Sequence, residues 1–240
     1  MAEFDRQTAG TTRTAAVIDE GLRAYMLRIY NYMGIGLAVT GFVAYFFNEW
    51  VMSSEAVFTA VYGSPLMWVI ALSPLAFILV LSFGINRMSA AAAQVTFWAF
   101  SVAMGLSLSS IFAVYTGTSI ARVFFITAAM FGAMSLYGYT TRRDLTGMGS
   151  FLFMGLIGLI IASVVNMFMA SSALAFGISV VGVLVFVGLT AYDTQKIKEM
   201  YYEADGAEIM GKKAIMGALR LYLDFINLML MLLRLFGERR

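Results

Sequence analysis

Two aspartates stand alone inside long apolar runs, Asp193 in GLTAYDTQKIKEM and Asp224 in RLYLDFINLMLMLLRLF. A carboxyl group at bilayer depth costs several kcal/mol unless it is partnered or wetted, so each marks a candidate site by default. If Arg220, four residues before Asp224, marks the membrane edge, the two acids lie at one depth, and packing of the last two spans brings them together. Two adjacent carboxyls in a poorly solvated place cannot both ionise easily, so the pair is expected to share one proton and to titrate in two macroscopic steps. Ionised, the same oxygens suit a hard cation such as calcium, which takes carboxylate and carbonyl ligands. Competition between proton and cation follows, and that is the chemistry of a pH-gated cation pathway. Asn227, three residues beyond Asp224 on the same helix face, and Arg220 are the neighbours expected to support the pair. The plainer alternatives are an i, i+4 ion pair between Arg220 and Asp224, and an Asp193 that caps or solvates the end of its helix.

The chain around these acids is made for lipid. Of its 240 residues 61% are hydrophobic and 12% charged, which excludes an ordinary soluble domain. The net charge is +2, and Lys and Arg sit between apolar runs rather than in one patch, so nucleic acid is not an expected partner. Cys and His are absent. Their absence removes disulfides, thiol chemistry, the usual zinc and copper sites and every Ser–His or Cys–His nucleophile. A pH sensor working near neutrality is then expected to be a carboxyl group with a raised pKa.

Taking roughly 20 apolar residues per crossing, spans are predicted near 30–52, 66–85, 94–115, 120–140, 151–170, 173–193 and 215–236. This is an all-α membrane protein with seven transmembrane helices, residues 29–240 forming one membrane domain. A polar segment, 194–214, separates the last two spans, and Tyr201 to Lys213 within it would be the docking surface of a protein that only binds partners. Residues 1–28 read as a cytoplasmic tail without a signal peptide. Ile18, Leu22, Tyr25, Met26 and Ile29 fall at helical spacing and suggest an amphipathic helix on the membrane surface. With the N-terminus inside, twelve basic residues lie on the inner side and four, Arg122, Arg234, Arg239 and Arg240, outside, which favours N-in and C-out. A last segment that enters and returns on one side is the alternative. Pro65 suits the first turn of the second span, whereas Pro74 removes the bond to the carbonyl of Ile70 and predicts a kink. Gly34, Ala38 and Gly41, with Gly155 and Gly158, are expected to let helices pack closely.

The stretches LYLDFINLMLMLLRLFG (Leu221 to Gly237), TAYDTQKIK (Thr190 to Lys198) and YGYTTRRDLT (Tyr137 to Thr146) resemble the transmembrane Bax inhibitor motif, or Bax inhibitor-1, family, and in detail a bacterial member. The resemblance spans essentially all seven helices. It implies six helices packed around a central seventh in a bacterial cytoplasmic (inner) membrane, and a pH-sensitive calcium leak channel governed by an aspartate pair whose positions Asp193 and Asp224 match. Calcium is then the transported ion, and no cofactor is implied. A latch from an Arg at the inner end of the second helix onto the sixth-helix Asp is also implied, and Arg87 is the basic residue there. The acid that some members carry within the second helix has no counterpart in residues 66–85.

A second reading, also implied by the resemblance, is a membrane interaction protein that regulates a membrane protease or a stress response without transport. An enzyme is the remaining class, because two facing membrane acids could activate water as in intramembrane aspartyl proteases. Tyr192-Asp193 matches the first signature of those enzymes, but Leu221 and Leu223 stand where the second, GxGD, needs glycine. The expectation is therefore a protein that is not an enzyme.

Overall fold

The computed structural model of the protein describes the backbone of residues 2–240 and the side chains from Glu20 onward. The helices are α1 (Ala2–Met52), α2 (Glu55–Tyr62), α3 (Leu66–Gly84), α4 (Ala90–Leu108), α5 (Ser110–Val114), α6 (Gly117–Thr140), α7 (Thr146–Met169), α8 (Ser172–Glu199) and α9 (Ala207–Phe236). Seven segments are long and apolar enough to cross a membrane: Glu20–Met52 of α1, then α3, α4 continued by α5, α6, α7, α8 and α9. All seven predicted spans are present.

Chain direction alternates, so the connections at 85–89, 141–145 and 200–206 share one end of the bundle, here termed the inner end. The outer end carries the α2 region and residues 237–240. There Thr116 donates its N–H to the Glu238 carbonyl at 3.1 Å, Arg240 donates to the Val114 carbonyl at 3.0 Å, and Arg122 meets Glu238 at 3.2 Å. The last helix therefore crosses the bundle from end to end and does not return.

Helix α9 is the centre. In its membrane window 61% of residues are buried, against 11% for α3 and α7. It packs chiefly on α8, α1, α6 and α4, whereas α3 leans on α4 and α7 on α8. The six surrounding helices thus form two layers, and lipid, being as apolar as leucine, exacts little for leaving α3 and α7 outermost. Tyr222 of α9 is fully buried and lies 2.6 Å from the Thr40 hydroxyl, whose own proton goes to the Ser101 carbonyl at 2.8 Å. Tyr222 must therefore donate, and one chain of hydrogen bonds ties α9, α1 and α4 together.

Several local expectations change. Helix α1 is continuous through the tail-span junction, and Tyr25, Met26 and Ile29 are buried in the core beside α9 rather than on a separate surface helix. Ile18 lies outside the described side chains. Helix α8 runs to Glu199 and α9 begins at Ala207, so the polar connection is only 200–206. Polar residues at the wet end of a span lack the apolar signal of a crossing yet remain good helix formers. Most charges of Tyr201 to Lys213, though not the exposed Glu203, are used within the fold: Glu208 accepts the free N–H of Ala90 at the start of α4 (2.6 Å), and Lys213 donates to the Met200 carbonyl (2.8 Å) and pairs with Asp205. At Pro74 the orphaned carbonyl of Ile70 accepts from the Ser73 hydroxyl at 2.9 Å, inside an unbroken α3.

Of the glycines predicted to pack, only Gly155 does, since a Cβ there would lie 3.1 Å from the Val185 side chain, whereas one on Gly34, Gly41 or Gly158 would have nothing within 4 Å. Close approach is made elsewhere, because spacing alone does not reveal which face a helix turns inward. A Cβ on Gly138 of α6 would collide with the backbone of Ala191 in α8, and one on Gly149 of α7 with the Tyr192 ring.

Two outcomes follow from these contacts. Gly138→Ala should cost about 1–3 kcal/mol, because backbone cannot yield as a side chain can, while Gly132→Ala, with nothing within 4 Å, should leave thermal unfolding in detergent unchanged or slightly improved. In the 141–145 loop, the Thr146 hydroxyl and then its N–H donate to the Asp144 carboxylate and hold it below the usual carboxylate range. Stability linked to a lowered carboxyl is complete above its unfolded value and is lost as pH falls through the folded one. Hydrogen exchange of the first-turn amides of α7 should accordingly be protected at neutral pH and released on acidification, and Asp144→Ala should abolish that dependence.

Candidate functional site

Asp193 is placed by the residues on either side of it. Ala191 is pinned against Gly138 of α6 and Tyr192 against Gly149 of α7. Thr194 bonds the Ser135 hydroxyl at 3.0 Å, and Ser135 lies 2.6 Å from the Tyr30 hydroxyl. Gln195 accepts the Leu145 N–H at 2.9 Å and donates to the Arg143 carbonyl at 2.8 Å, and Lys198 donates to the Tyr139 carbonyl at 2.8 Å. Each of these polar side chains in TAYDTQKIK secures α8 to α6 or to the 141–145 loop, and Asp193 alone turns toward α9.

There it faces Asp224, and the two carboxyls line the same cavity. Asp224 is 5% exposed, and its Oδ2 has no hydrogen-bond partner among the described residues. Both acids line a cavity of about 740 Å³ between α7, α8 and α9, with Gly149, Ser150 and Phe153 forming the α7 wall. An ionised carboxylate only accepts hydrogen bonds, so a bond between these two carboxyls would require that one of them carry a proton.

Arg220 lies with its Nη1 4.0 Å from Asp193 Oδ1, reaching across from α9 to α8. The i, i+4 ion pair with Asp224 is not formed, and Asp193 is no cap, since α8 continues for six residues beyond it. Asn227 lines the cavity; one N–H of its amide donates to the Leu223 carbonyl at 2.8 Å, which leaves its second N–H and its oxygen for the acids. Arg87 sits exposed in the turn after α3 and makes no ion pair among the described residues. Asp193, Asp224, Arg220 and Asn227 are thus brought together, and Arg87 is not. The α7 wall escaped sequence reasoning, because Gly149 and Ser150 read as ordinary packing residues.

Chemically, two carboxylates and one amide oxygen form a sparse set of hard donors. Among the described residues no cluster of three or more acids supplements them. Calcium prefers six to eight oxygens, so the set suits brief occupancy by a cation with most of its water retained.

A family model described as "Inhibitor of apoptosis-promoting Bax1" matches residues 22–240. The inner membrane protein YbhL of Escherichia coli (strain K12) is 50% identical over 222 residues, covering 92% of this chain and 94% of that protein. A protein of Rickettsia prowazekii is 50% identical over 234 residues, 98% of each chain. One of Caulobacter vibrioides is 43% identical over 249 residues, 100% of each.

A buried carboxyl with an unpaired oxygen is a liability to the fold that a leucine of similar shape removes. Asp224→Leu should raise the unfolding temperature in detergent, by a stabilisation of about 1–3 kcal/mol; a lowered temperature would show that the acid contributes to stability.

Proposed function

The chain belongs to the Bax inhibitor-1 family, and from the acid pair at its centre we propose that it is a pH-sensitive cation leak of the bacterial inner membrane, with calcium as the transported ion. The observation that carries this reading is the meeting of Asp193 and Asp224 in one cavity between α7, α8 and α9. With one proton between them the acids hold α8 to α9. Its loss leaves two like charges facing each other in a poorly solvated space, faced by the Arg220 cation and the Tyr192 ring, while α7 offers no charged group there. That state attracts a cation and favours separation of the helices, so the leak rises with pH.

Outward passage would have to cross an apolar layer. Leu159, Val185, Leu228 and Leu232 are buried between the acid cavity and the outer end, and Met231 lies 2.8 Å from the position of a Cβ on Gly182. Such a layer stops ions by excluding water until the helices part. Arg87 keeps a proposed role as a latch onto Asp193 in a state other than this one. A regulator that only docks a membrane protease has less support, because Asp205, Glu208, Lys212 and Lys213 of that segment are engaged internally. Hydrolysis has less still, since neither glycine of a GxGD motif precedes Asp224.

Calcium entry into proteoliposomes, titrated from acid to alkaline, tests the proposal. The wild type should show flux rising with pH, and Asp193→Asn and Asp224→Asn should each flatten that response. An unchanged titration in both variants would remove the pair from the mechanism.

A further inference from the structure

A second polar cavity, of about 570 Å³, lies at the outer end of the same α7–α8–α9 seam. Its chemistry is opposite to that of the acid cavity. Arg234, from the last turn of α9, and Arg239 both line it, no carboxylate does, and neither arginine is in an ion pair among the described residues. Arg239 is held at the site by the bridge between its backbone and Tyr115, and Glu238 is drawn away onto Arg122. Asn166 of α7 adds a directed donor: its carbonyl accepts the Ser171 N–H at 3.0 Å, which turns its NH₂ outward. The Ser171 hydroxyl oxygen already accepts from Leu174, so its proton is left to donate. Two guanidinium groups, an amide and a hydroxyl converging without an acid make a receptor for a tetrahedral oxyanion, which arginine binds through paired N–H groups.

The apolar part of the wall identifies the source of that anion. Met167 and Phe176 line the cavity and are 71% and 64% exposed on the lipid side of the bundle. A headgroup phosphate seated on the arginines would lay its acyl chains along them. We propose that this cavity binds the phosphate of an anionic phospholipid in the outer part of the membrane, independently of any cation leak.

The test uses the purified full chain in detergent, titrated in parallel with phosphatidylglycerol, phosphatidylcholine and inorganic phosphate, with bound lipid counted by native mass spectrometry and unfolding temperature as a second readout. Phosphatidylglycerol should bind and raise the unfolding temperature, phosphatidylcholine should bind more weakly, and inorganic phosphate should compete with phosphatidylglycerol. The Arg234→Gln/Arg239→Gln double variant should weaken phosphatidylglycerol binding about tenfold or more. Asn166→Asp keeps the acceptor for Ser171, and so the α7–α8 turn, but replaces a donor with a negative charge; it should weaken binding likewise with unfolding of the lipid-free protein unchanged. Equal binding of the two lipids, or wild-type binding by both variants, would overturn the site. Binding of inorganic phosphate without phosphatidylglycerol would overturn the lipid as its source.

Discussion

A carboxyl group removed from water must find a proton, a cation or a donor, and Asp224 is buried with one oxygen given none of the last two. The bundle supplies a second carboxyl instead. That choice constrains everything near it: α9 must be central, α8 must lie against it with Asp193 facing inward, and α7 must stand far enough off to leave the cavity. An unpartnered oxygen on Asp224 adds nothing to the packing, so stability alone gives no reason for an acid there. Polar groups that a fold does not need are where function is to be sought.

Positioning is achieved by residues that have no chemistry of their own. Gly138 and Gly149 bring α6 and α7 against the two residues preceding Asp193, and Thr194, Gln195 and Lys198 anchor the turn that follows. The acid is therefore held on a helix fixed on both flanks, and its freedom is confined to the α9 side. Along the same seam an apolar layer separates the acid cavity from the arginine-lined one at the outer end. The seam is thus polar at both ends, of opposite charge, and dry in the middle.

The seven crossings are legible in the sequence because lipid demands a continuous apolar run, and the acids are legible because they interrupt it. Helix ends at the wet surface are not. Residues 194–199 and 207–213 are polar, so hydropathy hides their helical character, and only the capping of α4 by Glu208 and the contacts of Lys198 and Lys213 show why they are ordered. Which glycines pack is hidden for a different reason. Gly34 and Gly41 have the spacing of a packing motif but meet no neighbouring side chain, whereas Gly138 and Gly149 lack that spacing and are pressed closely against α8. The site's third wall comes from α7, whose Gly149, Ser150, Phe153 and Leu156 carry no ionisable group that would mark it in the sequence.

Infrared spectroscopy of the carboxyl C=O bands across a pH titration, in the wild type and in Asp193→Asn and Asp224→Asn, bears most directly on whether the acids act as a unit. If they share a proton, removing either one must change how the survivor titrates, and the wild-type signal must not be the sum of the two single variants. Additive signals, with each remaining acid titrating as it does in the wild type, would contradict a shared proton and with it the pH gate.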